Sequence, residues 1–206
     1  MLAAMVIILI ATSAILFLFA TTSSSGQLQL DKGQLDRQLQ TIMDIITNDV
    51  QRAGYWSQAS SSNSNPFMQT GTTDITINGA SNCILFTYDH DNDGLLPAIS
   101  AAYDDERYGY RLKNNVIQFR PYGASFDCTA ASNNWSNLTN SALITITAFT
   151  VTLTNVAVDV DKAEAGVDTT NYRTVTITIT GQLPTSTGVT KTITRTIRVV
   201  NNKYAP

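Results

Sequence analysis

No charged side chain occurs between Met1 and Leu30; the first is Asp31. Met1 to Ile10 and Ile15 to Ala20 are apolar runs, interrupted by Thr12 and Ser13, whose hydroxyls can bond back to the preceding helical turn. About 20 apolar residues at roughly 1.5 Å each cross the ~30 Å hydrocarbon layer of a bilayer. Lipid offers the backbone no partner, so such a segment must be helical. A cleaved secretory signal is the competing reading. The lack of a basic lead-in, a run longer than the usual signal core, and a helical pattern that continues beyond it favour a retained helix.

That continuation is amphipathic. Leu35, Leu39, Ile42, Ile46, Val50 and Ala53 recur at steps of three and four, while Asp36, Arg37, Asp44, Asn48, Asp49 and Gln51 fill the other side. One apolar stripe opposite a wet face is the pattern of a helix lying on a core. The spacing predicts a single rod from Met1 to about Gly54, roughly 80 Å long, with Gly54 as its C-terminal stop. Thr21–Gly26 is poor in helix formers and is the expected point of local melting.

Beyond Gly54 the pattern changes to sheet. Ser57–Asn65 is a Ser/Asn-rich loop followed by Pro66. Strands are expected at Asp74–Asn78, Cys83–Tyr88, Tyr108–Leu112, Val116–Arg120, Leu143–Thr147, Phe149–Leu153, Thr174–Thr180 and Val189–Val199, with a tight turn at Lys113–Asn115. In Thr174–Thr180, Val175, Ile177 and Ile179 alternate with threonines, giving an apolar face and a hydroxyl-bearing one. A threonine face is wetted without charge, which accounts for a charged fraction of 14% against a usual ~25%. The expected fold class is α+β, a long N-terminal helix packed on an antiparallel β-sheet. Three segments follow: 1–26 as a hydrophobic membrane or filament-core helix, 27–55 as its amphipathic half, and 56–206 as a β-rich head.

Composition narrows the chemistry. A net charge of −3 does not suit nucleic acid as the main partner, which needs clustered Lys and Arg. One His and two Cys exclude multi-His and multi-Cys metal sites. Asp89-His-Asp-Asn-Asp-Gly94 has the spacing of a calcium loop: Asp89, Asp91, Asp93 and Gly94 fit positions 1, 3, 5 and 6. Position 12 is Ser100 rather than Glu, and Asp104, Asp105 or Glu106 could supply the missing carboxylate. The alternative is a solvated acidic turn that holds no ion. His90 is left out of the ligand set, because calcium prefers oxygen. Cys83 and Cys128 would pair in an oxidising compartment, closing a loop worth roughly 4 kcal/mol, or stand as two buried thiols. Trp135 is expected as a half-buried anchor rather than a binding aromatic. Asn134-Trp-Ser136 and Asn137-Leu-Thr139 read as chance matches to glycosylation acceptors. With no phosphate loop, dinucleotide fingerprint or Ser-His-Asp signature, no enzyme activity is expected.

An apolar N-terminal helix, its amphipathic continuation and an antiparallel sheet resemble the type IV pilins and the type II secretion pseudopilins. Leu35 to Tyr55, ending in Arg52-Ala53-Gly54-Tyr55, is similar to the PilW-type minor pilins and the GspJ pseudopilins. Tyr88–Gly94, Tyr108, Tyr110 and Leu112 are also similar to that group. The resemblance implies a structural subunit that sits in the bacterial inner membrane. It then joins copies of itself and other pilins in an extracellular pilus or periplasmic pseudopilus. Met1, Leu2, Met5, Ile8, Leu9, Ile15, Phe17 and Phe19 would form its assembly helix. The family carries a glutamate at the fifth mature position; here residue 5 is Met5, and no Glu precedes Asp31. Met1–Val6 is therefore expected to align just after that glutamate, and the N-terminal methylation and charge pairing of the family do not transfer directly. Two other readings are a membrane-anchored binding module, for glycans for example, with the helix as a tether, and a tethered hydrolase using the acidic loop. A tether would have a flexible linker at Thr21–Gly26, and a hydrolase a cleft with two facing carboxylates.

Overall fold

The computed structural model describes residues 2–59, 64–99, 104–129, 134–159, 169–184 and 186–205. One helix, α1 (Leu2–Arg52), runs unbroken for 51 residues, about 77 Å at the usual rise. The expected weak point at Thr21–Gly26 is helical. Its hydroxyls are absorbed by the helix itself: Thr21 and Thr22 donate to the Leu18 carbonyl and Ser24 to that of Thr21, as Thr12 does to Ile8 and Leu9. A side chain that finds its acceptor one turn back no longer competes for the backbone of its neighbours.

The two halves of α1 differ in what they touch. From Ile8 to Leu30 every side chain is exposed, whereas Leu35, Leu39, Met43, Ile46 and Val50 are buried. The helix ends where Gly54 takes φ +75°, a left-handed conformation that favours glycine. Ala53, the last residue of the expected stripe, is fully buried just beyond the final helical turn.

Among the described residues, two antiparallel sheets replace the single sheet expected. The first has the order β1 (Thr76–Ile77), β2 (Cys83–Thr87), β3 (Arg107–Lys113), β4 (Val116–Phe119) and β5 (Ser136–Asn137). The second is β6 (Thr145–Asp159), β7 (Thr169–Leu183) and β8 (Ser186–Arg198), with β9 (Lys203–Ala205) pairing on β7. The β3–β4 turn is the two residues Asn114 and Asn115, both at positive φ (53° and 62°), as the right-handed twist of a hairpin demands. The expected strands Leu143–Thr147 and Phe149–Leu153 are one strand, continuous through an irregularity between Ile146 and Ala148. Such an extra residue is absorbed as a bulge rather than ending the strand.

The helix lies mainly against β8 and β7. A shared core joins its stripe to Ile84, Phe86 and Ile117 of the first sheet and to Ile146, Phe149, Val151, Val175, Ile177, Ile179 and Ile197 of the second. The outward threonines of β7 and β8 pair their hydroxyls, Thr176–Thr196, Thr178–Thr194 and Thr180–Thr192, at 2.8–3.1 Å. Polar ties hold the helix along its edges: Arg195 pairs with Asp44 and reaches Gln40, and the Tyr110 hydroxyl donates to Asp49.

Candidate functional site

Two surfaces carry the residues that the sequence singles out. The first is the outer half of α1. Met5, Ile8, Leu9, Ile15, Phe17 and Phe19 are 61–73% exposed. Leu2 is the first helical residue, and Met1 lies outside the described residues. Ile15, Leu16, Phe17, Leu18 and Phe19 are consecutive and all exposed, so the helix is apolar all the way round. Such a helix belongs in lipid or among other helices. The length and composition suffice to cross a membrane.

The second surface is an acidic cradle at the helix exit. Residues 89–94 follow β2, and they are stitched to the first residues after the helix. The Asp89 amide donates to the Tyr55 carbonyl (3.0 Å), the Ser57 amide to Asp89 Oδ2 (2.8 Å), Trp56 Nε1 to the Gly94 carbonyl (2.9 Å), and the Tyr55 hydroxyl to Asn92 Oδ1 (3.0 Å). Asp89 is therefore buried, while Asp91 and Asp93 are exposed.

The three aspartates of the calcium-loop reading do not converge as one set. Asp89 and Asp91 come together with Glu106, and Asp91 with Asp93 and Asp104, so Asp91 belongs to both groups and Asp93 stands apart from Asp89. The cause is strand register. Thr87 pairs with Arg107, and the Tyr88 amide reaches the Glu106 carbonyl at 3.3 Å. The root of β3 thus lies beside the loop leaving β2. Glu106 receives the His90 amide on Oε1. Burial pushes its carboxyl up to about 7, helped by the charges of Asp89 and Asp91 and opposed by the His90 and Asp91 amides. Asp104 is raised by its hydrogen bond with Asp91, and Asp91 is held low by the Asp93 amide and then by Asp104. Asp105 is spent elsewhere, in a fully buried ion pair with Arg120 at 2.6 Å. The His90 side chain is exposed, and Ser100 lies outside the described residues.

Cys83 and Cys128 form a disulfide, with Cα atoms 6.0 Å apart. It fastens β2 to the segment after β4 over a small second core of Leu85, Ala124 and Trp135. Trp135 is buried, and the Arg111 guanidinium sits 4.6 Å above its ring. Replacing both cysteines by serine is expected to lower the unfolding free energy by about 2–4 kcal/mol, because the open chain regains its loop entropy. Urea unfolding of the two proteins side by side measures the difference.

A cavity of about 260 Å³ is lined by the four aromatic rings of Tyr108, Tyr110, Phe119 and Tyr122 together with Asp49, Arg107, Arg120, Gly109 and Pro121. Its one carboxylate, Asp49, already accepts the Tyr110 hydroxyl. Burial, and after it the charge and the hydrogen bond of Asp49, raise the Tyr110 phenol far above its ordinary value.

Comparison with known proteins gives one family. The family described as prepilin peptidase-dependent protein B (PpdB) matches residues 28–199, from within α1 through the end of the second sheet's long strands. No curated protein and no solved structure matches the chain. The match covers most of the 206 residues, and the chain therefore belongs to the prepilin peptidase-dependent protein B family, a group of type IV pilus-related proteins.

Proposed function

We propose that this protein is a structural, non-catalytic subunit of a pilus-like filament, held in the bacterial inner membrane by its N-terminal helix before assembly. The Arg52-Ala53-Gly54-Tyr55 exit supports a likeness to the PilW-type minor pilins and GspJ-type pseudopilins, and the partners we assign to it are copies of itself and other pilins. The observation that carries the reading is the exposed, all-round apolar half of α1, joined without a break to the half buried in the head. A flexible tether would not need a continuous helix across Thr21–Gly26. Carboxylates locked into ion pairs or hydrogen bonds, such as Asp49, Asp74 and Asp105, support a structural role for the head.

The energetics fit a two-stage life. Each large apolar side chain gains about 1.5–3 kcal/mol on leaving water, so the free subunit stays in the membrane. Moving from lipid to a helix bundle gains far less, since lipid is as apolar as leucine. Assembly then depends on packing between helices and between heads.

Electron microscopy of sheared surface filaments, with mass spectrometry of the subunit's first peptide, tests the reading. The expected result is the subunit in the filament fraction with its apolar segment retained. Recovery only as a trimmed, freely diffusing monomer overturns it. Ile10→Lys is expected to cut filament incorporation by about two orders of magnitude, because a charge in the middle of the apolar half costs roughly 2.5–3.5 kcal/mol. The melting point of the head should not change, since Ile10 lies on the exposed half of the helix.

A further inference from the structure

We infer that Asp89, Asp91 and Glu106 bind one calcium ion, and that this ion clamps the loop gripping the helix exit to the root of β3. The inference stands on the geometry of the head and holds whether or not the subunit enters a filament.

Three observations carry it. First, the carboxylates of Asp89, Asp91 and Glu106 each bring an oxygen within 4.8 Å of the other two, a spacing that one cation can bridge. Second, Asp89 and Glu106 are 1% and 3% exposed, yet Asp89 Oδ1 and Glu106 Oε2 have no hydrogen-bond partner among the described residues. A buried carboxylate oxygen without a donor is costly, and two carboxylates this close repel. Third, no Lys or Arg forms an ion pair with any of the three among the described residues, whereas the neighbouring Asp105 is fully paired with Arg120. The fold neutralises one buried acid with an arginine and leaves the adjacent pair with none.

The donors are carboxylate oxygens, supplemented by water in the cavity of about 70 Å³ beside Asp91, Asp104 and Glu106. An all-oxygen set drawn from the loop after β2 and the residue just before β3 suits calcium. Magnesium demands a near-ideal octahedron and gives up its water reluctantly. Imidazole- and thiolate-seeking metals find no ligand set among the described residues, because His90 belongs to neither group of converging ligand atoms and both cysteines are in the disulfide.

The consequence is mechanical. Asp89 holds the Ser57 amide on its other oxygen and donates its own amide to Tyr55. An ion on Asp89 Oδ1 therefore bears directly on the residues that fix how the helix leaves the head. Binding should stiffen the junction across which any pull on α1 reaches the sheets.

The test uses the full chain in detergent. Calcium in large excess over its dissociation constant is expected to raise the melting midpoint by about 5–10 °C at one ion per chain by equilibrium dialysis, and to slow hydrogen exchange at the Ser57 amide. Magnesium at the same concentration is expected to give less than half the shift. Glu106→Gln keeps the shape and removes the repulsion, so it should fold at least as well without calcium and lose the calcium shift. Asp93→Asn should keep it. No calcium shift in the unaltered protein overturns the inference. So does a shift that survives in Glu106→Gln, one that disappears in Asp93→Asn (the linear loop arrangement), or an equal response to magnesium.

Discussion

Gly54→Val is expected to lower the unfolding free energy of the head by about 3–5 kcal/mol, read by urea unfolding with Trp56 and Trp135 fluorescence. Two separate causes add. The backbone at Gly54 has φ +75°, where an L side chain costs about 1–2 kcal/mol and a β-branched one more. A Cβ there would also lie 2.2 Å from Met68 Cε, 2.9 Å from Met68 Cγ and 2.8 Å from Arg173 Nη2. Met68 is buried, so its thioether has little room to withdraw. The Gly54 amide donates to the Thr87 carbonyl at 2.7 Å, so the backbone is unable to rotate away without losing the contact between helix exit and β2. Gly71 supplies the control: it has φ +79° but no atom within 4 Å of an added Cβ. Gly71→Val should therefore cost only the conformational part. If the two substitutions cost the same, the close approach of Met68 and Arg173 is not what makes position 54 a glycine.

The helix and its stop at Gly54 are legible in the sequence because both signals are local. A run without charge and a stripe at steps of three and four declare themselves within a few turns, and so does the Ile/Thr alternation of β7. The two-residue Asn114–Asn115 turn follows from residues that tolerate positive φ. What is not legible depends on pairings made far along the chain. The expected strand begins at Thr174, yet β7 begins at Thr169, because β9 and β6 flank the added residues and Asp74, 99 positions from Arg173, receives the Arg173 guanidinium. The same holds for the acidic cradle. A calcium-loop search looks for its last carboxylate further along the same loop, at Ser100, whereas the fold brings Glu106 across from a neighbouring strand by the Thr87–Arg107 register. Position in the chain suggested Asp104, Asp105 and Glu106 as equals. Only the three-dimensional structure separates Asp105, bound to Arg120, from Glu106, beside Asp89.

Arg173→Ala is expected to cost about 3–5 kcal/mol, as large as any single change in the head. Arg173 is 2% exposed. Its Nη1 pairs with Asp74 Oδ1, its Nη2 donates to the Asn201 carbonyl at 2.6 Å, and Nη2 also lies 3.8 Å from Met68 Sδ. One planar fork thus binds the start of the first sheet to the chain leaving β8, under the glycine that ends the helix. Burial pulls its pKa down and the Asp74 charge pulls it back up, so the guanidinium tolerates its site only because the carboxylate is there. Truncation leaves Asp74 with Lys203, at 2.7 Å, as its remaining cation among the described residues, beside the Ile75 amide on Oδ1, and opens a hole beside Met68. Arg173→Lys should recover only part of the loss, since a single ammonium has no second arm for Asn201. Asp74→Ala should be comparably severe, because it strands a buried cation. The double variant Arg173→Ala with Asp74→Ala should be less damaging than the sum of the two by about 1–3 kcal/mol. Strict additivity in that cycle, measured by urea unfolding, would mean that the fork contributes through volume alone and that the ion pair does not hold the two sheets together.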